Sequence, residues 1–435
     1  MPPNLLYVND SVALYPDSWY ASSVNLPKAR SSLQECLHCD VCIIGAGFTG
    51  LSAALQLAET GLDVVVLDAH RAGWGASGRN GGQLGSGQRR DQAELEENYG
   101  REHAHALWDL AQQSKTLVTG LIDRYKIDCD YRAGVIDADH KSRYSTATNQ
   151  YVQKLQQDYG YDQIEFASRQ ETADLLGTDV YHSSSIDFGA GHLHPLKYAL
   201  GLAQAAESAG ARIFESTEVT KITTGDPVSV HAREGAVTAP FLILACNGYL
   251  GELHTEVARR VMPINNYIIA TEPLPASLSD NIIRNNMAVA DSRFVVNYYR
   301  KSADNRLLFG GRESYGYEFP KDIKSFVRKA MINIYPQLVD TRIDYGWGGT
   351  LAITMNRLPC VKALTPTVFS ASGYSGHGLG MATLSGKLVA EALCGHHEGF
   401  AVIDKIEHQR FPGGLPLRSP LLKLAMLYYS MRDRF

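Results

Sequence analysis

Apolar positions along the chain fall into two kinds of run: short continuous blocks of strand length that end on glycine, and longer stretches where they return every three or four residues. The clearest succession is a continuous block over 40–44, a helical pattern over 49–59 and a second continuous block over 62–67. Two strands apolar but for one aspartate each, joined by one helix, predict a βαβ unit whose strands run parallel and are buried on both faces. Helical spacing returns over 94–125 and 195–209, and strand-like blocks running into glycine return at 241–245 and 368–371. Residues 263–273, 293–300 and 306–311 read instead as half-buried antiparallel strands. The first 37 residues form a polar, proline-containing arm (Tyr15, Pro16, Asp17, Ser18, Trp19, Tyr20), expected to wrap over the body of the fold. No repeat of solenoid period and no low-complexity linker interrupts the pattern.

With 435 residues, 45% hydrophobic and 20% charged, the chain has the composition of a packed globular protein long enough for more than one core. Its formal net charge of −5 supplies no basic field for nucleic acid, which is therefore not an expected partner. Seven cysteines, an odd number scattered along the chain, argue for a reducing compartment, and the cytoplasm is the expectation. Cys36, Cys39 and Cys42 are closely spaced, but Cys42 sits inside an apolar strand and no second pair stands at zinc-ligand spacing, so no metal is expected. The first residues lack the charged start and apolar core of a signal peptide, and no run approaches the ~20 apolar residues of a membrane span. Membrane contact is accordingly not expected.

Gly45-Ala46-Gly47-Phe48-Thr49-Gly50 stands between the first predicted strand and the first helix, the context that gives this spacing its meaning. Gly45 permits the tight turn, Gly47 lets backbone approach a pyrophosphate, and Gly50 allows close helix–strand packing. The helix N-terminus then offers free N–H groups and a partial positive charge to the phosphates. Ala54 and Gly61 continue the small-residue spacing of the crossover. Asp68, followed by Ala69, closes the second strand about twenty residues on, placed to accept from ribose hydroxyls and unsuited to a 2′-phosphate. This motif alone does not separate NAD from FAD. The run Arg71-Ala72-Gly73-Trp74-Gly75-Ala76-Ser77-Gly78-Arg79-Asn80-Gly81-Gly82-Gln83 does, because so many glycines are costly unless backbone must pass close to something bulky, and a flavin is the natural candidate.

Here the sequence resembles the D-amino-acid oxidase superfamily of flavoproteins, and especially its gamma-glutamylputrescine oxidase and glycine/sarcosine oxidase branch, in which an Ala-Ser-Gly-Arg-Asn-Gly-Gly run (Ala76 to Gly82) lies along the flavin. The resemblance extends over nearly the whole chain. Residues 217–222 resemble the strand whose valine backbone, here Val219, meets the adenine; 242–249, with Cys246, Asn247 and Gly248, resemble a second cofactor-side loop. Residues 271–274 and 308–312 resemble substrate-domain strands. Trp347 and Gly348 belong to a further flavin-side segment, and Gly376-His377-Gly378-Leu379 with the helix after it is similar to the loop and helix over the flavin ring. That helix would aim its N-terminal partial charge at the ring. His377 is placed beside the flavin as a candidate catalytic residue, although a lone histidine between glycines is more often structural and flavin chemistry needs no obligatory protein base.

The resemblance implies an α/β fold: a Rossmann-type, glutathione-reductase-like FAD-binding domain made of 36–130, 189–260 and 345–400, a mainly antiparallel β-sheet substrate domain of 131–188 and 261–344, and a C-terminal extension of 401–435. Three departures qualify it. The cysteine that tethers the flavin in the sarcosine-oxidase branch matches Gly349, so FAD is expected to be non-covalent. The oxygen-activating lysine matches Leu308, which puts rapid reaction with O₂ in doubt. The lysine that grips a substrate carboxylate matches Gly380, which favours an amine without a carboxylate on its reacting carbon. Tyr298, Tyr299, Arg300, Arg312 and Tyr315 are candidates for the substrate pocket, with an arginine reading a distant carboxylate; ordinary sheet packing is the competing account. Residues 421–429 have apolar positions at helical spacing and are expected to dock on the body or on a second copy in a homodimer. The expectation is therefore an FAD-dependent oxidoreductase that oxidises the C–N bond of a small, gamma-glutamylputrescine-like amine and passes electrons to O₂ or a carrier. An amino-acid dehydrogenase feeding a quinone or carrier, and a non-enzymatic flavin-binding regulator, remain as alternatives.

Overall fold

The computed structural model describes residues 4–314 and 316–414. Its centre is a six-stranded sheet in the spatial order Cys360–Thr365, Val368–Ser372, Phe241–Leu244, Val41–Ile44, Val64–Leu67, Arg212–Phe214. The last five run parallel and the first is antiparallel. The continuous apolar blocks are continuous because both faces are covered. One face carries the helices Phe48–Glu59, Arg101–Tyr125, Pro195–Ser208 and Gly378–Leu393, whose apolar sides form one core with Val41, Ile43, Val64 and Val66. The other carries a four-stranded sheet, Cys36–His38, Ala236–Ala239, Val228–Ala232 and Val219–Thr223, which closes over Cys42, Ile44, Val65 and Leu67. Strand order reverses at Val41–Ile44, so the loop after it opens on the crevice at the sheet's carboxyl edge.

A nine-stranded sheet stands against this unit. Eight strands run in the order Ile343–Ile353, Met262–Thr271, Leu307–Ser314, Tyr298–Lys301, Ala288–Asp291, Arg132–Asp139, Ser183–His192, Gln83–Leu84, and Ile164–Ala167 pairs with Ser183–His192. All the pairs are antiparallel except Ala288–Asp291 with Arg132–Asp139. Its outer face is covered by the helix Ile323–Ile334 over Tyr267, Ile269, Tyr299 and Phe309. Two expected domain limits fall inside continuous strands: 188/189 within Ser183–His192 and 344/345 within Ile343–Ile353.

Several elements differ from the sequence pattern for local reasons. The helical stretch over 94–125 is two helices, Gln92–Tyr99 and Arg101–Tyr125, because Gly100 between them takes φ 81°, a conformation closed to an ordinary helical residue. The strand expected over 293–300 is only Tyr298–Lys301, because the Asp291 carboxylate accepts from Arg293 N and Asn297 N and holds the intervening residues in a turn. The arm contains a short helix, Trp19–Ser22, capped by Ser18, and buries Trp19 and Tyr20. It wraps the body as expected: Leu14 O accepts from Trp74 Nε1 and Tyr15 Oη donates to Ala72 O. Among the described residues no helix is long and apolar enough to cross a membrane. Tyr315 and the 421–429 segment lie outside the described residues.

Candidate active site

The strand Val41–Ile44 ends in a turn that side chains could not make. Gly45 has φ 108°, and a Cβ on it would stand 2.7 Å from Ala245 O; a Cβ on Gly50 would stand 1.9 Å from Gly45 O. Gly47 is free of a side chain for a third reason: its Cβ would meet Ser77 Oγ at 2.8 Å, and that hydroxyl accepts from Phe48 N at 2.9 Å. Ser77 thus reaches over from the second glycine-rich loop and satisfies one N–H at the start of helix Phe48–Glu59. Asp68 accepts from Ala46 N at 2.7 Å and from His70 N at 2.8 Å, which ties the end of the second strand to the first glycine turn. Burial pushes its carboxyl up to about 6, against the pull of those two N–H groups.

The second glycine-rich loop is held by its own polar side chains. Asn80 donates to Ala76 O and Ser77 O and accepts from Gly82 N. Arg79 donates to Trp74 O, to Gly348 O and to both oxygens of Asp10 on the arm, while its guanidinium lies 4.4 Å from the Trp74 ring centroid. Gln83 donates to Val289 O, joining the loop to the large sheet. The second-loop glycines meet rings and backbone: a Cβ on Gly81 would stand 2.7 Å from the Tyr298 ring, and one on Gly82, at φ 77°, 2.0 Å from Leu193 O.

Between the two sheets lies a cavity of about 970 Å³, at the upper end of what ligand sites occupy. At one end it is lined by Asp68, Ala69 and Val219; next come Gly45, Gly47, Phe48, Thr49, Cys246 and Asn247, then Ala76, Ser77, Arg79, Asn80, Gly81, Gly82 and Gln83. Gly376, Gly378 and Leu379 face it from the start of the helix Gly378–Leu393, and Tyr298 stands on the large-sheet wall, its hydroxyl donating to Asn266 Oδ1. The structure brings these sequence-selected residues onto one continuous surface.

Others stand behind that surface, each for a physical reason. Ala46, Gly50 and Gly248 pack the backbone of the loops; a Cβ on Gly248 would meet Leu351 O at 2.9 Å. Arg71 is a brace: it pairs with the buried Glu215 at 2.7 Å and donates to Pro27 O. Trp347 donates to Arg79 O, and Gly348 O accepts from Arg79, so both support the loop from outside the lining. Arg300 corrects the expectation of a substrate anchor: it is buried and donates to Gly81 O, Leu193 O and Tyr20 Oη, holding the glycine loop to the sheet. Arg312, at φ 70°, lies over Phe326 on the helix-covered face and does not line the cavity. Tyr299 stacks on Phe309 in the core, its hydroxyl donating to Tyr181 Oη. His377 also turns away from the cavity. Its Nε2 donates to Gly87 O at 2.9 Å, and burial, helped by the Arg89 charge, holds it down at about 4, so it is neutral near pH 7 and acts as a strut. Gly380 abuts Ser114 Oγ and Leu84, and Leu308 joins a core with Trp19, Tyr20 and Trp347; neither lines the cavity, so the comparison of these two positions with substrate- and oxygen-facing lysines loses its geometric basis.

The cavity wall also contains Arg89, Asp137, Asp291, Arg293 and Glu313, which no sequence motif singled out, besides Tyr249 of the 242–249 loop and Tyr374. They come from loops and strands far apart in the chain, and no spacing rule joins them.

A dinucleotide cofactor fits these residues. The glycine cradle is one that a Cβ at 45 or 47 would close, the helix that starts behind it suits phosphate, and the cavity continues past it along a second glycine-rich loop toward polar groups on the large sheet. Comparisons agree with the geometry. The family model described as FAD dependent oxidoreductase, DAO, matches residues 40–392. The chain is 42% identical over 419 residues to the probable oxidoreductase OrdL of Rhizobium meliloti, covering 96% of this chain and 97% of that one. It is 39% identical over 421 residues to gamma-glutamylputrescine oxidoreductase of Escherichia coli, covering 97% and 99%. Among solved structures, glycine oxidase of Geobacillus kaustophilus superposes with a TM-score of 0.71 at 19% identity, covering 87% of this chain and 98% of that one. The chain belongs to the DAO family of FAD-dependent oxidoreductases, enzymes that act on amine and amino-acid C–N donors.

Proposed function

We propose that the protein oxidises a C–N bond in a long amine of the gamma-glutamylputrescine kind, giving an imine that water hydrolyses to an aldehyde and an amine or ammonia. One observation carries this reading: a single cavity joins the glycine-built nucleotide cradle to a polar end on the large sheet, in a chain whose full-length relatives include a gamma-glutamylputrescine oxidoreductase. FAD, when bound, supplies the acceptor for the hydride leaving the carbon that bears nitrogen. The protein's part is to bind, orient and polarise. Gly45, Gly47 and the start of helix Phe48–Glu59 would hold the pyrophosphate, Asp68 the ribose, and Ala69 with Val219 the adenine; Arg79 to Gln83 and Gly376 to Leu379 would flank the ring. The N-terminus of helix Gly378–Leu393 opens on the cavity, so its partial positive charge favours negative charge there. Tyr298 walls the substrate side.

The cofactor is held without a covalent bond. In support, Cys246 is the one cysteine among the described lining residues; its thiol donates to Ile44 O and burial pushes it up to about 12, leaving it protonated and unreactive. The sheets support a two-domain reading with the limits near 188 and 344 moved to the ends of strands Ser183–His192 and Ile343–Ile353. Free thiols at all seven cysteines suit a reducing compartment. O₂ is the proposed acceptor. Anaerobic addition of gamma-glutamylputrescine should bleach the yellow protein, and admission of air should restore the colour. Bleaching without recovery in air would assign the electrons to a carrier, and no bleaching would reject the substrate.

A further inference from the structure

The cavity wall carries charge that the reaction leaves unused. Arg89, in the loop before helix Gln92–Tyr99, and Asp137, on strand Arg132–Asp139, both line it. Neither side chain makes a hydrogen bond or an ion pair to any described residue. Both residues are exposed to the space they line, while protein packed around them lowers Arg89 and, with Asp187, raises Asp137 to about 6. Surface that opens on a cavity in place of bulk water reconciles the two facts. Each is among the charges that act on the other, but no N···O distance between them lies within 4.0 Å.

That arrangement is costly for a purely structural pair. A crowded charge without a partner loses hydration and gains nothing in return. On the same cavity wall Arg293 closes directly onto Asp291, and Arg90, next to Arg89 in the chain, closes onto Glu94. Arg89 and Asp137 instead share the cavity wall, close enough for each charge to act on the other but not in contact. A group carrying both signs of charge would pair both residues at once. A plain diamine would leave Arg89 unpaired, and a simple carboxylate would leave Asp137 unpaired and repelled.

We infer that Arg89 and Asp137 form a subsite for a free α-amino-acid head, the guanidinium taking its carboxylate and the aspartate its ammonium. This rests on the amine-oxidation reading above, because a gamma-glutamyl amide of a diamine carries such a head at the end opposite its free amine. The guanidinium fork fixes the carboxylate in one plane, and Glu313, which also acts on Arg89, adds negative charge beside the ammonium.

Calorimetric titration of the holoenzyme with gamma-glutamylbutylamide separates binding from turnover, since this ligand has the head and the length but no free amine at the end opposite the head. Two truncated ligands complete the set: glutarylbutylamide lacks the ammonium, and 4-aminobutanoylbutylamide lacks the carboxylate. Each should bind the wild type about tenfold to a hundredfold more weakly than the full head, the range for one charged hydrogen bond. Arg89→Gln should weaken the full head and glutarylbutylamide by that factor and leave 4-aminobutanoylbutylamide unchanged; Asp137→Asn should do the converse. A wild type that ranks the three ligands equally, or variants that weaken all three alike, would overturn the subsite. If a variant fails to retain flavin, the wild-type ranking decides. Head-dependent binding without reduction by gamma-glutamylputrescine would sink the reaction and keep the subsite, whereas turnover of that amine without head dependence would sink the subsite alone.

Discussion

Gly47 shows how much one missing side chain can decide. Its Cβ would displace the Ser77 hydroxyl that caps the helix start, and would stand where backbone faces the cavity. Gly47→Val should therefore yield colourless protein, measured as the ratio of flavin to protein absorbance; normal flavin content would remove this loop from the cofactor site. The glycines were legible in the sequence because their function lies in backbone geometry, which spacing reports. Arg300 was not. Its neighbours Tyr298 and Tyr299 alternate as a strand requires, one to the cavity and one to the core, but which groups an arginine tip meets depends on carbonyls supplied by Gly81 and Leu193, remote in sequence. Arg300→Ala should cost roughly 2–4 kcal/mol of stability, since it strands two buried carbonyls and frees the glycine loop. Unchanged thermal stability with a selectively raised KM would return Arg300 to the substrate. Arg89 and Asp137 escaped the sequence for the related reason that a cavity wall assembled from a loop and a distant strand leaves no local period.

Helix Gly378–Leu393 holds the loop proposed to flank the flavin against the cavity because it lies close on helix Phe48–Glu59. The contact is made at Gly386, where a Cβ would stand 2.2 Å from Thr49 O and 2.9 Å from Ala53 N, and is fastened by the Ser52 hydroxyl donating to Thr383 O. Gly386→Val should push the helices apart, since overpacking of this kind typically costs about 1–3 kcal/mol or more. A lowered melting temperature with reduced flavin retention is the expected result, and wild-type values for both would contradict it. Elements such as these were readable where apolar periodicity was long and uniform, as in the βαβ unit. They were misread where one residue overruled the pattern: Gly100 divides a helical stretch in two, and the Asp291 carboxylate folds half of an expected strand into a turn.

The molecule as a whole buries several histidines in the neutral form. Burial holds His70, His377 and His408 down at about 4, His192 at about 3 and His194 at about 2. An unfolded histidine titrates near 6.5, so each group's stabilising contribution is intact above that pH and is lost as the pH falls toward its folded value. Asp68 and Asp137, raised to about 6, run the other way: their contribution is present below about 4 and is lost as the pH rises to 6. With five histidines against two carboxyls, unfolding takes up protons on balance between pH 6 and 4. Stability should then fall by about 1.4 kcal/mol per net proton for each pH unit. Thermal melting at a series of pH values checks this, and a melting temperature that is flat or rises from pH 6.5 to 4.5 would contradict it. Denaturation in acid should also release the flavin into the supernatant, in keeping with Gly349 at the tether position; colour retained in the precipitate would mean a covalent bond.

The central claim is that this cavity selects a long amine with a distant amino-acid head, and anaerobic stopped-flow reduction of the bound flavin tests it most directly. Gamma-glutamylputrescine should reduce the flavin with a larger second-order rate constant than putrescine, sarcosine, glycine or D-alanine, by about tenfold or more if one charged contact separates them. Rapid reduction by the small α-amino acids, with no response to the long amide, would contradict the account and leave the family as the whole of what can be said of its chemistry.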